Sequence, residues 1–408
     1  MVITSANDVR SAAVIGAGIM GSGIAALLAD AGIDVFLLDL DAAAAKAAVD
    51  RLVARNGFSD PASVGRITTG SSGTDLALVG AVDWIIEAAA ERLEVKRDLF
   101  RAVDEIRRPG SIVSSSTSTI RLSALMTEMS DTFARDFLIT HFFNPPQQMR
   151  LLEIVAGPQT APGVVERIRA IAENDLGKVV VDAKDTPAFI ANRIGNYWMA
   201  CAIQEAVARH LKVEDADAVI GRPFGMPAGV FAFLDVVGID LIPVAWNSLA
   251  AALPADDDLQ RYLAPLDIVG ILITRKLIGR KAGAGFWRRT PDGMDVFDLE
   301  TRSYRPAGKP QTTALGDDPT NLRAMLEHDD ASSRYARAVI CDTLAYAASL
   351  VPEVVETPEL ADLAMRHGYG WKWGPFELIQ HVGGDWLADI LTEAGRMVPA
   401  YLQTSLAA

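Results

Sequence analysis

From Ala12 to Ala29 the chain is almost wholly apolar, yet Gly16, Gly18, Gly21 and Gly23 interrupt it. An apolar stretch of this length behind Arg10 superficially suggests a signal segment or a membrane span. Four glycines are poorly suited to one continuous helix, and a second apolar run, Val35-Phe36-Leu37-Leu38, follows closely. A buried strand, a tight turn and a buried helix account for both facts, and no membrane span is predicted. The turn reads Gly16-Ala17-Gly18-Ile19-Met20-Gly21, a G-x-G-x-x-G sequence. After a strand and at the start of a helix, the first glycine permits the tight turn and the second lets backbone N–H groups approach a pyrophosphate. The third lets helix and strand pack closely, with the helix N-terminus facing the phosphates. Asp39 ends the next strand, where an acid can accept the adenosine ribose hydroxyls. A carboxylate there repels a 2′-phosphate, which favours NAD over NADP. FAD uses the same fingerprint, and the glycines alone do not separate the two.

The first half continues in the same rhythm. Predicted strands are Ala12–Ile15, Asp34–Leu38, Val82–Ile86, Ser111–Ser114, Phe137–Thr140, Leu151–Val155 and Val179–Val181. Most are continuous apolar runs, as expected for strands buried on both faces of a parallel sheet. With helical stretches between them they predict an α/β fold, a Rossmann-type doubly wound parallel sheet over residues 1–184. At Asp185-Thr186-Pro187 the texture turns helical, with Thr186 placed to cap a helix and Pro187 to be its first residue. No further convincing strand is seen before about Val296.

The helical part repeats itself. Gly225-x3-Gly229-x-Phe231 recurs 145 residues later as Gly370-x3-Gly374-x-Phe376, and Val237-Gly238-x-Asp240 as Val382-Gly383-x-Asp385. Glu214 and Glu359, and Asp217 and Asp362, keep the same offset. Shared spacing across so many pairs indicates an internal duplication. Two related all-α domains are therefore predicted, at 185–295 and 331–408. Residues 296–330 join them as a linker that includes the Pro/Gly/Thr-bearing stretch Pro306–Thr320.

Composition removes whole classes of function. The chain has 408 residues and is 50% hydrophobic, enough for large cores and several domains. Its net charge of −14 repels a polyanion and argues against a nucleic-acid partner. Cys201 and Cys341 lie far apart without metal-type spacing. They read as core residues in a reducing, cytoplasmic setting, and no metal site is predicted.

The chemistry-bearing motifs come in order. Ser114-Ser115-Ser116-Thr117-Ser118 follows the strand at Ile112-Val113, and ligands bind at the carboxyl ends of strands in open α/β sheets. Thr140-His141-Phe142-Phe143-Asn144-Pro145-Pro146 is followed by Leu151-Leu152-Glu153-Ile154-Val155, then by Lys184-Asp185-Thr186-Pro187-Ala188-Phe189-Ile190-Ala191-Asn192-Arg193. A histidine titrates near neutral pH and can take a hydroxyl proton, while a carboxylate on its other ring nitrogen fixes the tautomer. A lone Glu in an apolar strand is costly unless it has such a partner. His210, His328, His367 and His381 lack this company and read as structural or surface residues. The Met and Trp residues near Met226, Trp371 and Trp373 read as helical core.

Together these segments resemble the 3-hydroxyacyl-CoA dehydrogenase family over nearly the whole chain, including Glu87-Ala88 after the Val82–Ile86 strand. The resemblance implies NAD-dependent oxidation of (S)-3-hydroxyacyl-CoA of the fatty-acid β-oxidation type. In it His141 is the general base, Glu153 its orienting carboxylate, and Ser118 and Asn192 substrate-positioning residues. Cofactor contacts would come from Gly16, Gly18, Ile19, Met20, Gly21, Asp39, Glu87, Lys96, Ser116 and Asn144, the last also supporting the catalytic site. Two positions depart from the family: Ser116 stands where Asn is usual, and Ala188 where Gly is common.

Gly283-Ala284-Gly285-Phe286-Trp287, Asp298-Leu299-Glu300-Thr301 and the stretch from Tyr369 to Leu378 look most like the dehydrogenase half of bifunctional enzymes. Those enzymes also carry an enoyl-CoA hydratase module, so this chain is expected to be either part of a longer enzyme or a single-function relative. Single-repeat relatives dimerise through the helical domain. A duplicated domain can satisfy that surface internally, so a monomer is expected ahead of a homodimer. Two other functions share the nucleotide fold: dehydrogenation of a free hydroxy acid, and non-catalytic dinucleotide sensing.

Overall fold

The computed structural model describes residues 9–310 and 321–405. The chain divides into two compact units, Met1–Phe189 and Ile190–Ala408.

The first unit is an eight-stranded sheet in the order β3-β2-β1-β4-β5-β6-β7-β8. Its strands are β1 (Ser11–Ile15), β2 (Asp34–Asp39), β3 (Ile67–Ser71), β4 (Trp84–Glu87), β5 (Ile112–Ser115), β6 (Phe137–Phe142), β7 (Leu151–Ala156) and β8 (Val179–Asp182). Helices α1 (Ile19–Asp30), α2 (Ala42–Ala54), α3 (Leu93–Ile106) and α4 (Pro162–Asn174) lie between them. The apolar run behind Arg10 is β1 and α1, whose residues Ala12, Val14, Ile24, Ala25 and Leu28 join the core. Among the described residues no single helix is long and apolar enough to cross a membrane.

Two features depart from the sequence reading. β3 was not among the predicted strands: Ile67-Thr68-Thr69-Gly70-Ser71 is a sheet edge, only partly buried, and lacks the apolar run of a central strand. The sheet is also not wholly parallel, because β7 runs antiparallel to β6. The eight residues between them are too few for the crossover a parallel pair requires.

The second unit contains both copies of the repeat. The first copy supplies α5 (Ala191–Ala208), α6 (Val213–Ile220) and α7 (Val230–Val237), and the second α8 (Ala331–Ser349), α9 (Pro358–Gly368) and α10 (Pro375–Val382). Asp217 accepts the N–H groups of Phe231 (2.8 Å) and Ala232 (3.0 Å), and Asp362 those of Phe376 (2.7 Å) and Glu377 (3.2 Å). Each aspartate thus caps the helix that follows its own, α7 or α10, at equivalent positions. A Cβ on Gly229 would collide with Asp217, and one on Gly374 with Asp362. The duplicated glycines are there because the duplicated aspartates need the space. Gly225 and Gly370 share positive φ values of 74° and 70°, as do Gly238 and Gly383 at 108° and 94°. Glu214 and Glu359 have diverged: the first is buried against Arg305, the second exposed.

This unit is not all helical. Trp287–Thr290, Gly293–Phe297 and Tyr304–Pro306 form an antiparallel three-stranded sheet, β9 to β11. Its arginines and tyrosine make polar strands without an apolar run, which hid two of the three. Of the predicted linker, residues 311–320 lie outside the described residues. The helix expected at Pro187 starts at Ala191. Ala188 and Phe189 hold φ values of 61° and 52°, left-handed backbone that cannot continue into a helix.

Candidate active site

Four loops meet along the carboxyl edge of the sheet, after β1, β4, β5 and β6. β7 starts at this edge because it runs the other way. The β6–β7 register sets His141 directly opposite Glu153, and directly paired residues share a face of the sheet. Both are buried, at 2% and 0% exposure, and Nδ1 of His141 lies 2.6 Å from Oε2 of Glu153. An ionised carboxylate only accepts, so with Nδ1 protonated this contact is a hydrogen bond and Nε2 is the ring nitrogen left with a lone pair. Phe143 and Phe189 pack on the imidazole, with ring centroids 4.5 and 5.4 Å away.

The glycine turn sorts its three glycines by purpose. Gly16 has φ of 111°, and a Cβ there would strike the Ala88 carbonyl; one on Gly21 would strike the Gly16 carbonyl. A Cβ on Gly18 would meet no protein atom. The fold therefore requires the outer two, while the middle one leaves an open cradle before the first turn of α1. That helix has no side-chain cap, and Ile19 beside it is 76% exposed; Met20 is partly buried against the core. Asp39 accepts the N–H groups of Ala17 (2.6 Å) and Leu40 (2.8 Å), which holds the turn, and its oxygens retain lone pairs for further donors.

Glu87 and Lys96 lie beneath this edge as a buried ion pair, 2.6 Å apart. Lys96 also reaches Glu91 at 3.1 Å, and the Ser115 hydroxyl donates to Glu87. Glu91 was not singled out in the sequence, though it lies between Glu87 and Lys96. It accepts the N–H groups of Ser118 (3.0 Å) and Thr119 (3.1 Å) and the hydroxyls of Thr117 and Thr119, so it shapes the loop carrying Ser118. Burial raises its carboxyl pKa, but the Lys96 ammonium and these donors outweigh that and hold it below the usual value. The Ser116 N–H donates to the Glu87 carbonyl (2.8 Å), and its buried hydroxyl has no partner among the described residues.

Asn144 is exposed on the loop beyond β6. That loop is pinned by Lys178, also unforeseen, whose ammonium donates to the carbonyls of Pro146 and Met149. Burial pulls the Lys178 pKa down to about 8. The structure thus brings His141 to Glu153, and Ser116 and Ser118 to the Glu87–Glu91–Lys96 group. Asn192 belongs to the second unit, in the first turn of α5, where its Oδ1 accepts from the Tyr369 hydroxyl (3.2 Å). Arg193 beside it is buried and paired with Asp257. Cys201 and Cys341 are buried and form no disulfide.

The open cradle at Gly18, the uncapped α1 terminus and the unpartnered Ser116 hydroxyl fit a dinucleotide along this edge. The comparisons agree. The family model described as 3-hydroxyacyl-CoA dehydrogenase, NAD binding domain, matches residues 11–186. The model of that family's C-terminal domain matches residues 189–289 and 335–406, which are the two copies of the repeat. A probable 3-hydroxyacyl-CoA dehydrogenase of Bacillus subtilis is 35% identical over 98% of this chain and 54% of its own length. A putative fatty acid oxidation complex trifunctional enzyme of Rickettsia felis is 33% identical over 97% of this chain and 57% of its own length. The chain thus spans about half the length of these relatives. Among solved structures, 3-hydroxybutyryl-CoA dehydrogenase of Escherichia coli K12 shares the fold, with a TM-score of 0.76, 22% identity and 98% of each chain covered.

Proposed function

The chain belongs to the 3-hydroxyacyl-CoA dehydrogenase family, and we propose, starting there, that it oxidises (S)-3-hydroxyacyl-CoA to 3-oxoacyl-CoA with His141 as general base. The observation that carries this reading is the buried 2.6 Å contact between His141 Nδ1 and Glu153 Oε2. His141 takes the C3 hydroxyl proton at Nε2 and returns it in the reverse direction. Glu153 holds Nδ1–H and stabilises the imidazolium once it forms. Bound NAD supplies the hydride acceptor. Gly16, Gly18, Ile19, Met20, Gly21 and Asp39 hold that cofactor, and Ser116 and Asn144 complete its seat. Glu87 and Lys96 support the seat from below, through Glu91 and the loop it ties. Ser118 and Asn192 donate to the substrate oxygens. The place of the reaction is fatty-acid β-oxidation, with an enoyl-CoA hydratase module as the partner that supplies the 3-hydroxyacyl-CoA.

The test follows NADH consumption with acetoacetyl-CoA, with free acetoacetate, and with a His141→Ala variant. Turnover of the CoA ester alone, falling by about 10²–10⁴ in the variant, is the expected result. Turnover of the free acid would point to a hydroxy-acid dehydrogenase. Tight NADH binding without turnover of either compound would point to a sensor.

A further inference from the structure

The second copy of the repeat touches Asn192 directly. Tyr369, just past the end of α9, lays its ring against α5 where Gly195 has no side chain; a Cβ at Gly195 would overlap that ring. The ring stacks on Phe233 with centroids 5.6 Å apart, and the residue is 9% exposed. From this seat the Tyr369 hydroxyl donates to Asn192 Oδ1 at 3.2 Å.

A primary amide presents an acceptor at one end and two donors at the other, and nothing in its own shape selects between them. A tyrosine hydroxyl can donate to Oδ1 or accept from Nδ2; here it donates to Oδ1, which occupies the acceptor end and leaves Nδ2 as the group offered to a ligand. The ketone and thioester oxygens of a 3-oxoacyl-CoA accept hydrogen bonds and cannot donate them. An Asn192 turned the other way would set an acceptor against an acceptor.

We propose that Tyr369 is a positioning residue, whose hydroxyl fixes the Asn192 amide so that Nδ2 is presented to the acyl-CoA oxygens. This rests on the reading of Asn192 as a substrate contact. The repeat itself supplies a control: 145 residues earlier the equivalent of Tyr369 is Phe224, buried and without a hydroxyl. The fold of the repeat accepts a bare ring at this position, so packing does not account for the hydroxyl.

Tyr369→Phe removes one atom and keeps the ring in its notch. Its kcat for acetoacetyl-CoA reduction should fall about five-fold, the scale of one hydrogen bond. The KM for NADH and the melting temperature should stay at the wild-type values. Asn192→Ala should cost more, and adding Tyr369→Phe to it should cost nothing further if the hydroxyl serves turnover through that amide. If Asn192→Ala is crippled while Tyr369→Phe turns over like the wild type, Tyr369 has no positioning role. An equal loss from Tyr369→Phe in both backgrounds overturns the proposal too, by showing that the hydroxyl acts elsewhere. If Asn192→Ala itself turns over normally, the substrate role of Asn192 fails first and the proposal with it.

Discussion

At Gly18 a side chain would meet nothing in the protein, and at Gly21 it would meet backbone. The G-x-G-x-x-G sequence therefore mixes two kinds of constraint, and substitution separates them. Gly18→Ala should melt like the wild type, because its φ of −65° suits any residue, yet bind NADH at least ~10-fold more weakly by fluorescence titration. Gly21→Ala should lose about 1–3 kcal/mol or more in chemical denaturation from overpacking. A Gly18→Ala protein with unchanged NADH affinity would show that no ligand backbone approaches that cradle. The identities of the glycines, Asp39, His141 and Glu153 were all readable in the sequence. Lys178 was not, since a lysine clamping two carbonyls of a distant loop leaves no local pattern. Glu91 was hidden differently: part of its work is done through the backbone N–H groups of residues 118 and 119, and backbone donors have no letter in a sequence.

At the level of elements, periodicity reported where strands run but not which way. β6 and β7 were both predicted, yet the contact between His141 and Glu153 depends on their antiparallel register. The shortness of the loop between them was the available clue. Polar edges such as β3 and β9 escaped because the apolar signal that marks a central strand is missing there. The repeat was legible through its glycines, and the structure adds why its aspartates stay. Burial pushes Asp217 and Asp362 each up to about 7, against the N–H donors that favour their charged forms. Unfolded aspartate titrates near ~3.9. Between that value and about 7 the folded chain binds more protons than the unfolded one, so these groups contribute stability at the acid end that is lost as pH rises. Melting temperatures measured across this window at fixed ionic strength should slope downward toward neutrality, and an Asp217→Asn/Asp362→Asn variant should slope less. Identical slopes would mean that neither carboxyl titrates there.

At the scale of the whole helical unit, the two copies meet as halves of a two-fold pair. α6 packs on α8 while α9 packs on α5, which is the same contact with the copies exchanged. The Gly225 carbonyl accepts from Lys372 N–H at 2.7 Å, and Gly370 faces Pro227, the position equivalent to Lys372. Reciprocal contacts of this kind define an isologous interface. With that surface used internally, light scattering at micromolar concentration should return 43.7 kDa, the mass of one chain; twice that mass would show a second self-association surface. Fusion also has a consequence for what the pair can become. In a homodimer every substitution appears on both sides of the axis, so neither half can specialise alone. Joined in one chain, each half is free to differ, as Phe224 and Tyr369 do and as Pro227 and Lys372 do: the hydroxyl stands on one side of the interface alone.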